Sequence, residues 1–132
     1  MKLLITLELT LLILATTFQS DNPPGWYQQE LPVADYINDI FFLDSLNGWL
    51  ITDSFGGNDS GYVLRTSDGG NTWSILFYAF IKFKSLQFVD SNIGYIGGGD
   101  GFARVLKTTD GGNSWSIFTF PTTIIDDIFF CQ

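Results

Sequence analysis

Residues 66–73, Thr-Ser-Asp-Gly-Gly-Asn-Thr-Trp, return 42 residues later as residues 108–115, Thr-Thr-Asp-Gly-Gly-Asn-Ser-Trp. Residues 42–49, Phe-Leu-Asp-Ser-Leu-Asn-Gly-Trp, return 46 residues later as residues 88–95, Phe-Val-Asp-Ser-Asn-Ile-Gly-Tyr. A third echo joins Ile-Asn-Asp-Ile-Phe-Phe at 37–42 to Ile-Asp-Asp-Ile-Phe-Phe at 125–130. Self-similarity at a spacing of 40–50 residues indicates a repeat architecture in which each copy is one supersecondary unit.

Each repeat divides into four short apolar runs separated by Gly, Asn and Asp, which is the pattern of strands joined by hairpin turns. This predicts an all-β chain, a partial β-propeller with about two four-stranded antiparallel blades plus flanking strands. The expected strands are Tyr36 to Leu43, Gly48 to Asp53, Gly61 to Thr66, Thr72 to Phe80, Phe83 to Val89, Gly94 to Gly98, Phe102 to Thr108, and Ser114 to Phe120.

The flanks follow the same register. Trp26 precedes Pro32 by six residues, as Trp115 precedes Pro121, so Trp26, Trp73 and Trp115 are interpreted as equivalent. The predicted organisation is therefore an outer strand of a missing closing blade at 25–32, a first blade at 33–80, a second blade at 81–121, and the first strand of a third blade at 122–132. Open-ended blades expose apolar faces, so self-association is expected of a truncated propeller.

The repeated octapeptide has the chemistry of a tight hairpin. An Asp side chain in a turn accepts hydrogen bonds from backbone N–H groups ahead of it, and glycine supplies conformations closed to other residues. The tryptophan rings are expected to pack into the core. The ten positions are predicted to be structural, with no catalytic or metal-binding role: Thr66, Asp68, Gly70, Thr72, Trp73, Thr108, Asp110, Gly112, Ser114 and Trp115.

These ten residues resemble the Asp-box, or bacterial neuraminidase repeat, at every defining position. The resemblance implies a turn between the third and fourth strands of a blade, away from the ligand face. The spacing of residues 37–49 with 64–73, and of 83–95 with 106–115, is most similar to the photosystem II stability and assembly factors and their bacterial relatives. Those propellers close with about seven blades, whereas this chain has room for two.

The N-terminus has a different composition from the repeats. Met1-Lys2 is followed by a mostly apolar run from Leu3 to Ala15, interrupted by Glu8, and then by polar residues to Ser20. A cationic start, a short apolar core and a polar exit predict a signal peptide at 1–20 and a mature domain at 21–132, exported to the periplasm or cell exterior. The run is too short for a stable membrane span, and a tether or buried segment is the alternative.

Composition excludes several functions. The net charge is −8 with six Lys and Arg, which argues against nucleic-acid binding. The chain has no His and one cysteine, Cys131, so it offers no Ser-His-Asp triad, no thiolate metal site and no intrachain disulfide. No cofactor or metal is expected.

Two functions of different classes remain. The first is a non-catalytic exported scaffold or binding module for a protein or cell-surface partner. The alternative is a fragment of a sialidase-like or other glycan-active Asp-box protein. A sialidase needs three arginines to hold the substrate carboxylate, and the chain contains only Arg65 and Arg104, with Glu30 the sole glutamate after residue 20. The chain alone is therefore not predicted to be an enzyme.

The resemblance to the photosystem factors implies that basic side chains on the blades form a partner-binding patch. The candidates are Arg65, Lys82, Lys84, Arg104 and Lys107, and the alternative is that these are solvated strand positions. Two further motifs are interpreted structurally. The Gly-rich run 97–101 predicts a tight turn, and Asp126-Asp127 predicts a polar strand start because neighbours in a strand face opposite sides.

Overall fold

The computed structural model describes residues 28–54, 56–121 and 125–130, and within these ranges every regular element is a β-strand. Eight strands form two four-stranded antiparallel sheets, each in the order of the sequence. The all-β prediction is confirmed. The first sheet, blade 1, contains β1 (Tyr36–Phe42), β2 (Gly48–Asp53), β3 (Gly61–Thr66) and β4 (Ser74–Ala79), and the second, blade 2, contains β5 (Phe83–Phe88), β6 (Gly94–Gly99), β7 (Ala103–Thr108) and β8 (Ser116–Phe120).

The fourth strand of each blade begins two residues later than the sequence pattern predicts. In blade 1 the Thr72 backbone N–H donates to the Asp68 carboxylate at 2.9 Å, and in blade 2 the Ser114 N–H donates to Asp110 at the same distance. These N–H groups are therefore used by the turn and are not available for strand pairing. The strands start at Ser74 and Ser116 as a result.

Both innermost strands carry a register shift at the same place, between Ile37 and Asp39 in β1 and between Phe83 and Ser85 in β5. A bulge of this kind re-aims side chains out of the ladder. The Asp39 carboxylate accepts a hydrogen bond from the Leu86 backbone N–H of blade 2 at 2.7 Å. The Asn38 amide donates to the Phe83 carbonyl at 2.5 Å. The bulge therefore joins the two blades through their inner strands.

Each blade has an upstream face, turned toward the preceding part of the chain, and a downstream face, turned toward the later part of the chain. Antiparallel partners share a face, so Ile40, Leu50 and Leu64 lie on the upstream face of blade 1, while Trp49 and Arg65 lie on its downstream face. The core forms where the downstream face of blade 1 meets the upstream face of blade 2. Its fully or nearly fully buried residues are Trp49, Ile51, Val63, Ile81, Phe83, Leu86, Phe88, Ile96 and Leu106.

One glycine in each blade makes room for a phenylalanine ring. A Cβ on Gly48 would lie 2.7 Å from the Phe42 ring, and a Cβ on Gly94 would lie 2.6 Å from the Phe88 ring. These are overlaps that no side chain could avoid without moving the ring. The close approach gives a physical reason for the repeated Phe-x-Asp-Ser-x-x-Gly pattern in residues 42–48 and 88–94.

Residues 125–130 run along the downstream face of blade 2 without a strand assignment. The Phe130 N–H donates to the Gln87 side chain at 2.9 Å, and the Ser85 hydroxyl donates to Asp127 at 2.9 Å. The first strand of a third blade thus stays a prediction, as does the outer strand at 25–32: residues 28–32 have no strand assignment, and Trp26 lies outside the described residues.

The prediction of a tight turn across the Gly-rich run 97–101 is wrong in part. Residues 97–99 belong to β6, and only Asp100 and Gly101 lie in the connection to β7. A Cβ on Gly97 would stand 2.8 Å from the side chains of Ile125 and Ile128. Glycine in this strand therefore permits the close approach of residues 125–130 to the sheet.

Candidate functional site

The turn at residues 66–73, the first of the two that resemble an Asp-box and are called boxes below, is a closed network around the Asp68 carboxylate. The Thr66 hydroxyl donates to Asp68 at 2.7 Å, and the Thr72 hydroxyl donates to it at 2.6 Å. The Thr66 hydroxyl oxygen in turn accepts the Gly70 N–H at 2.9 Å. Gly70 has a φ of 90°, a backbone conformation that favours glycine. The side-chain oxygens of Thr66, Asp68 and Thr72 are thus all used inside the turn that joins β3 to β4.

The second box repeats this network around Asp110, with Thr108 donating at 2.8 Å and Ser114 at 2.6 Å. Hydrogen bonds to a carboxylate favour its charged form. The Ser114 hydroxyl, the Ser114 N–H and the Thr108 hydroxyl lower the pKa of Asp110 to about 2. The corresponding donors, led by the Thr72 hydroxyl, lower the pKa of Asp68 to about 2. Both boxes therefore hold a carboxylate that resists protonation.

A second acidic turn lies beside each box. The Asp44 carboxylate accepts hydrogen bonds from the backbone N–H groups of Leu46 and Asn47, both at 2.7 Å. These hydrogen bonds lower the Asp44 pKa, and the one from Asn47 has the larger effect. The Leu46 carbonyl then accepts the N–H of Gly69 in the box at 2.9 Å. In blade 2, Asp90, Asn92 and Gly111 repeat the arrangement. The sequence echo 42–49 and 88–95 therefore encodes a turn that holds the Asp-box of its own blade.

Trp49 joins the two blades. It is fully buried, its ring stacks on Phe88 with centroids 3.8 Å apart, and its indole N–H donates to the Gly111 carbonyl at 2.9 Å. Trp115, by contrast, is half-buried and donates to Gly112 in its own box. The sequence pattern predicted that the box tryptophans fill the core and did not single out Trp49. The signal was present as the repeated Gly-Trp and Gly-Tyr pairs at 48–49 and 94–95.

Arg65 lies on the same face as Trp49, with its guanidinium carbon 5.2 Å from the indole centroid. Its Nε is buried and has no hydrogen-bond partner among the described residues. Arg65 also lines an open pocket of about 310 Å³ together with Ser67, Ser74 and Leu76. The Arg65 side chain therefore has an unused hydrogen-bond donor and lies beside a cavity.

The structure does not gather the five predicted basic residues into one patch. Arg104 and Lys107 lie on opposite faces of β7, because their positions differ by an odd number. Arg104 is paired with Asp100, and the Lys82 ammonium lies 3.1 Å from Asp59, which raises the Lys82 pKa. Lys84 sits in the β5 bulge, partly buried. Lys107 lies over the Tyr95 ring at 5.6 Å, equivalent to Arg65 over Trp49.

An apolar pocket of about 310 Å³ opens on the upstream face of blade 1. Part of its lining corresponds to residues around Trp49 in blade 2, because Phe42, Leu50 and Trp73 are the equivalents of Phe88, Ile96 and Trp115. Gln29 and Leu31 reach its rim. The complete lining is Gln29, Leu31, Ile37, Ile40, Phe42, Leu50, Gly69, Gly70 and Trp73.

The part of the chain that the structure describes holds no group of three or more His, Cys, Asp or Glu residues placed to bind a metal ion. Within the same residues, no helix is long and apolar enough to cross a membrane.

Two four-stranded antiparallel blades packed face to face define a partial β-propeller. The chain matches the family model described as photosynthesis system II assembly factor YCF48 over residues 18–125, and it belongs to that family. It is similar to a solved structure, YCF48 bound to D1 peptide, with 36% identity and a TM-score of 0.51 over 66% of this chain and 27% of that one. It is also 38% identical over 66 residues to the photosystem II stability/assembly factor HCF136, chloroplastic, of Guillardia theta.

These matches cover only part of the relatives. The chain spans 15% of the length of the Guillardia theta protein and 27% of the YCF48 chain. The relatives are named as assembly factors and not as enzymes, and the solved one is bound to a peptide. A protein-binding assembly factor is thus the class of protein to which this chain is similar.

The prediction of export to the periplasm or cell exterior is wrong. It is contradicted by the family match and by the relative in Guillardia theta, which is a chloroplast protein. The prediction rested on one lysine followed by a short apolar run, a pattern of hydropathy that is not specific to bacterial export. Residues 1–20 lie outside the described residues.

Proposed function

We propose that this chain is a non-catalytic scaffold in photosystem II assembly that binds a peptide segment of a protein partner through a carboxylate at Arg65. The single observation that supports the proposal is the Arg65 guanidinium, held over Trp49 with a buried Nε that lacks a partner among the described residues, at the edge of an open pocket. Family membership and the peptide bound to the similar YCF48 structure support a protein partner.

The chemistry of the pocket suits an acidic group. A guanidinium presents its N–H donors in a planar fork that matches the two oxygens of a carboxylate. Stacking on the indole holds this fork in place and reduces the side-chain entropy lost on binding. The Ser67 and Ser74 hydroxyls line the same pocket and can donate to the ligand, while Leu76 offers an apolar contact. A peptide with an acidic side chain or a free C-terminus is the expected ligand.

The sialidase-like alternative has no corresponding support. Its substrate carboxylate requires three convergent arginines, whereas Arg104 is paired with Asp100 and does not line the Arg65 pocket. The Asp-box carboxylates are saturated with donors from their own turns and offer no free acid.

Calorimetric titration with a D1 peptide tests the proposal. Arg65→Gln removes the fork and is expected to weaken binding by at least about tenfold, the loss of charge-assisted hydrogen bonds. Arg104→Gln is the matched control, because it removes the same group from an ion pair outside the pocket and should leave affinity within about twofold. Arg65→Lys keeps the charge and should recover only part of the affinity.

A D1 peptide whose carboxylates are converted to amides separates the two parts of the proposal. Two results together support a carboxylate at Arg65. The unsubstituted protein should bind the amidated peptide weakly, and the Arg104→Gln variant should bind the original peptide with unchanged affinity. Equal binding of both peptides by the unsubstituted protein would overturn the carboxylate assignment. No binding of either peptide would overturn D1 recognition by this part of the family fold.

A further inference from the structure

The pairing of β3 with β4 contains an extra residue in blade 1. The register shifts between Val63 and Leu64, and Leu76 is left without a partner residue on β3. In blade 2, β7 pairs with β8 without a shift, and Phe118, which like Leu76 follows its box tryptophan by three residues, lies opposite Val105. Bulges re-aim a side chain and are common beside functional sites. The two repeats therefore differ at the Leu76 position.

The bulge turns Leu76 toward blade 2, because it interrupts the alternation by which neighbouring residues in a strand face opposite sides of the sheet. A Cβ on Gly112 would lie 3.2 Å from the Leu76 side chain. Phe77, the next residue, also faces blade 2, with its ring 6.3 Å from that of Trp115. Leu76 is partly buried against the core, whereas Phe118 is 51% exposed. The same position is thus an apolar contact between blades in one repeat and an exposed side chain in the other.

Leu76 and Arg65 rest on the same turn of blade 2. The Arg65 Nη1 atom would lie 3.5 Å from a Cβ on Gly111, the residue before Gly112. Leu76 and Arg65 also line the same open pocket. Every residue of this arrangement belongs to the two described blades, so it does not depend on what covers their outer faces. The pocket therefore places an apolar wall beside a guanidinium that has an unused donor.

We propose that Leu76 determines the specificity of the Arg65 pocket by selecting an acidic peptide with a large apolar side chain next to its carboxylate. This specificity rests on the function proposed above, since Arg65 must first hold the carboxylate. The guanidinium fork fixes the carboxylate, and the adjacent side chain of the peptide then covers Leu76. A peptide with glycine at that position keeps the charged contact and loses the apolar one.

Calorimetric titration with two pairs of synthetic peptides tests the proposal. The first pair is blocked at both ends and carries one aspartate, followed by leucine in one peptide and by glycine in the other. The second pair has no acidic side chain and ends in a free carboxylate on leucine or on glycine. The unsubstituted protein is expected to bind the leucine member of at least one pair about tenfold more tightly than the glycine member. The pair that binds identifies the carboxylate as a side chain or a C-terminus.

Substitutions at position 76 separate the apolar contact from the charged one. Leu76→Ala should reduce the preference for leucine to within about twofold, while Leu76→Met keeps an apolar side chain of similar volume and should retain the preference. Phe118→Ala is the matched control, because it truncates the equivalent position in blade 2, outside the pocket, and should change the preference by less than about twofold. Circular dichroism confirms the β-fold of each variant, and Leu76→Gln replaces Leu76→Ala if the latter does not fold.

Arg65→Gln distinguishes the role of Leu76 from the proposed function. It should weaken both members of a pair by at least about tenfold, since it removes the contact that they share. Equal affinities for the leucine and glycine members, or a preference that survives Leu76→Ala, would overturn the role of Leu76 and leave the carboxylate at Arg65 in place. Binding that is indifferent to Arg65→Gln, or no binding of any of the four peptides, would overturn the proposed function and the role of Leu76 with it.

Discussion

On the upstream faces of the two blades, the first strands differ in burial although their residues are equivalent. Leu86 and Phe88 of blade 2 are 4% and 0% exposed, while their counterparts Ile40 and Phe42 in blade 1 are 49% and 41% exposed. The difference arises because blade 1 covers the first pair, whereas no blade among the described residues covers the second. A repeat unit of this kind completes its core only through its neighbour.

The Asp-boxes behave in the opposite way. The distances around Asp68 and Asp110 agree within 0.1 Å, from 2.7 and 2.8 Å for the first threonine to 2.6 Å for the hydroxyl at the end of the box. The box is a local structure that needs no neighbour. The molecule thus combines turns whose hydrogen bonds form within one blade with faces whose apolar residues are buried only by another blade. Single substitutions can measure the contribution of each to stability.

The largest difference should appear at the paired phenylalanines. Phe88→Ala removes a fully buried ring and should lower the free energy of unfolding by about 3–5 kcal/mol. Phe42→Ala removes a partly exposed ring and should cost about 1–2 kcal/mol. Denaturant unfolding of both variants measures the difference. Equal losses would mean that Phe42 is covered in solution and that the comparison between the two faces fails.

Trp49 tests the polar link between the blades. Trp49→Phe keeps an aromatic ring on Phe88 but removes the donor to the Gly111 carbonyl, so we expect a loss of about 1–2 kcal/mol in unfolding free energy. Tyr95→Phe is the control, since no hydrogen bond of the Tyr95 hydroxyl occurs among the described residues, and its effect should stay within about 0.5 kcal/mol. A tolerated Trp49→Phe would show that stacking alone joins the blades.

The inner-strand bulge should contribute less. Asp39→Ala leaves the Leu86 N–H of blade 2 without its acceptor, and we expect a cost of about 1 kcal/mol. Asp127→Ala acts on residues 125–130 at the other end of the molecule and should cost under about 0.5 kcal/mol. Thermal unfolding of the two variants compares the Asp39–Leu86 hydrogen bond between the blades with the Asp127–Ser85 hydrogen bond to residues 125–130. A larger loss for Asp127→Ala than for Asp39→Ala would contradict the prediction.

The smallest effect is expected in how the free energy of unfolding changes with pH under acidic conditions. The folded pKa of Asp68 and of Asp110 is about 2, below the ordinary value of 3.8, so their stabilisation is present above about pH 4 and is lost as pH falls toward 2. Asp68→Asn and Asp110→Asn should each flatten the profile between these values. The two changes should be equal because the box is local. Unfolding midpoints from pH 2 to 5 provide the measurement, and unequal slopes would show coupling to the neighbouring blade.

Much of the fold was predictable because the blade is encoded by local chemistry. The spacing of Gly, Asn and Asp predicted all eight strands. Most shifts shorten a strand at an end that a turn occupies, such as the start of β4 at Ser74, while β6 extends one residue further, to Gly99. The prediction of a turn across 97–101 was wrong in part because glycine is common both in turns and in strands that another segment approaches closely. The contact between Gly97 and Ile128 could not be predicted from the local sequence. The prediction of export was wrong because a short apolar run after a lysine is not specific to export to the periplasm or cell exterior.

By itself, the sequence determined the repeat, the two Asp-boxes and the class of fold, since these depend on residues within a few positions of one another. Tertiary structure alone decided that Trp49 is fully buried in the core while Trp115 packs against it partly exposed, that Asp39 bonds to Leu86, and that the Arg65 Nε is buried without a partner among the described residues. Those outcomes depend on which face meets which blade, a contact between residues about 45 positions or more apart that no local pattern specifies.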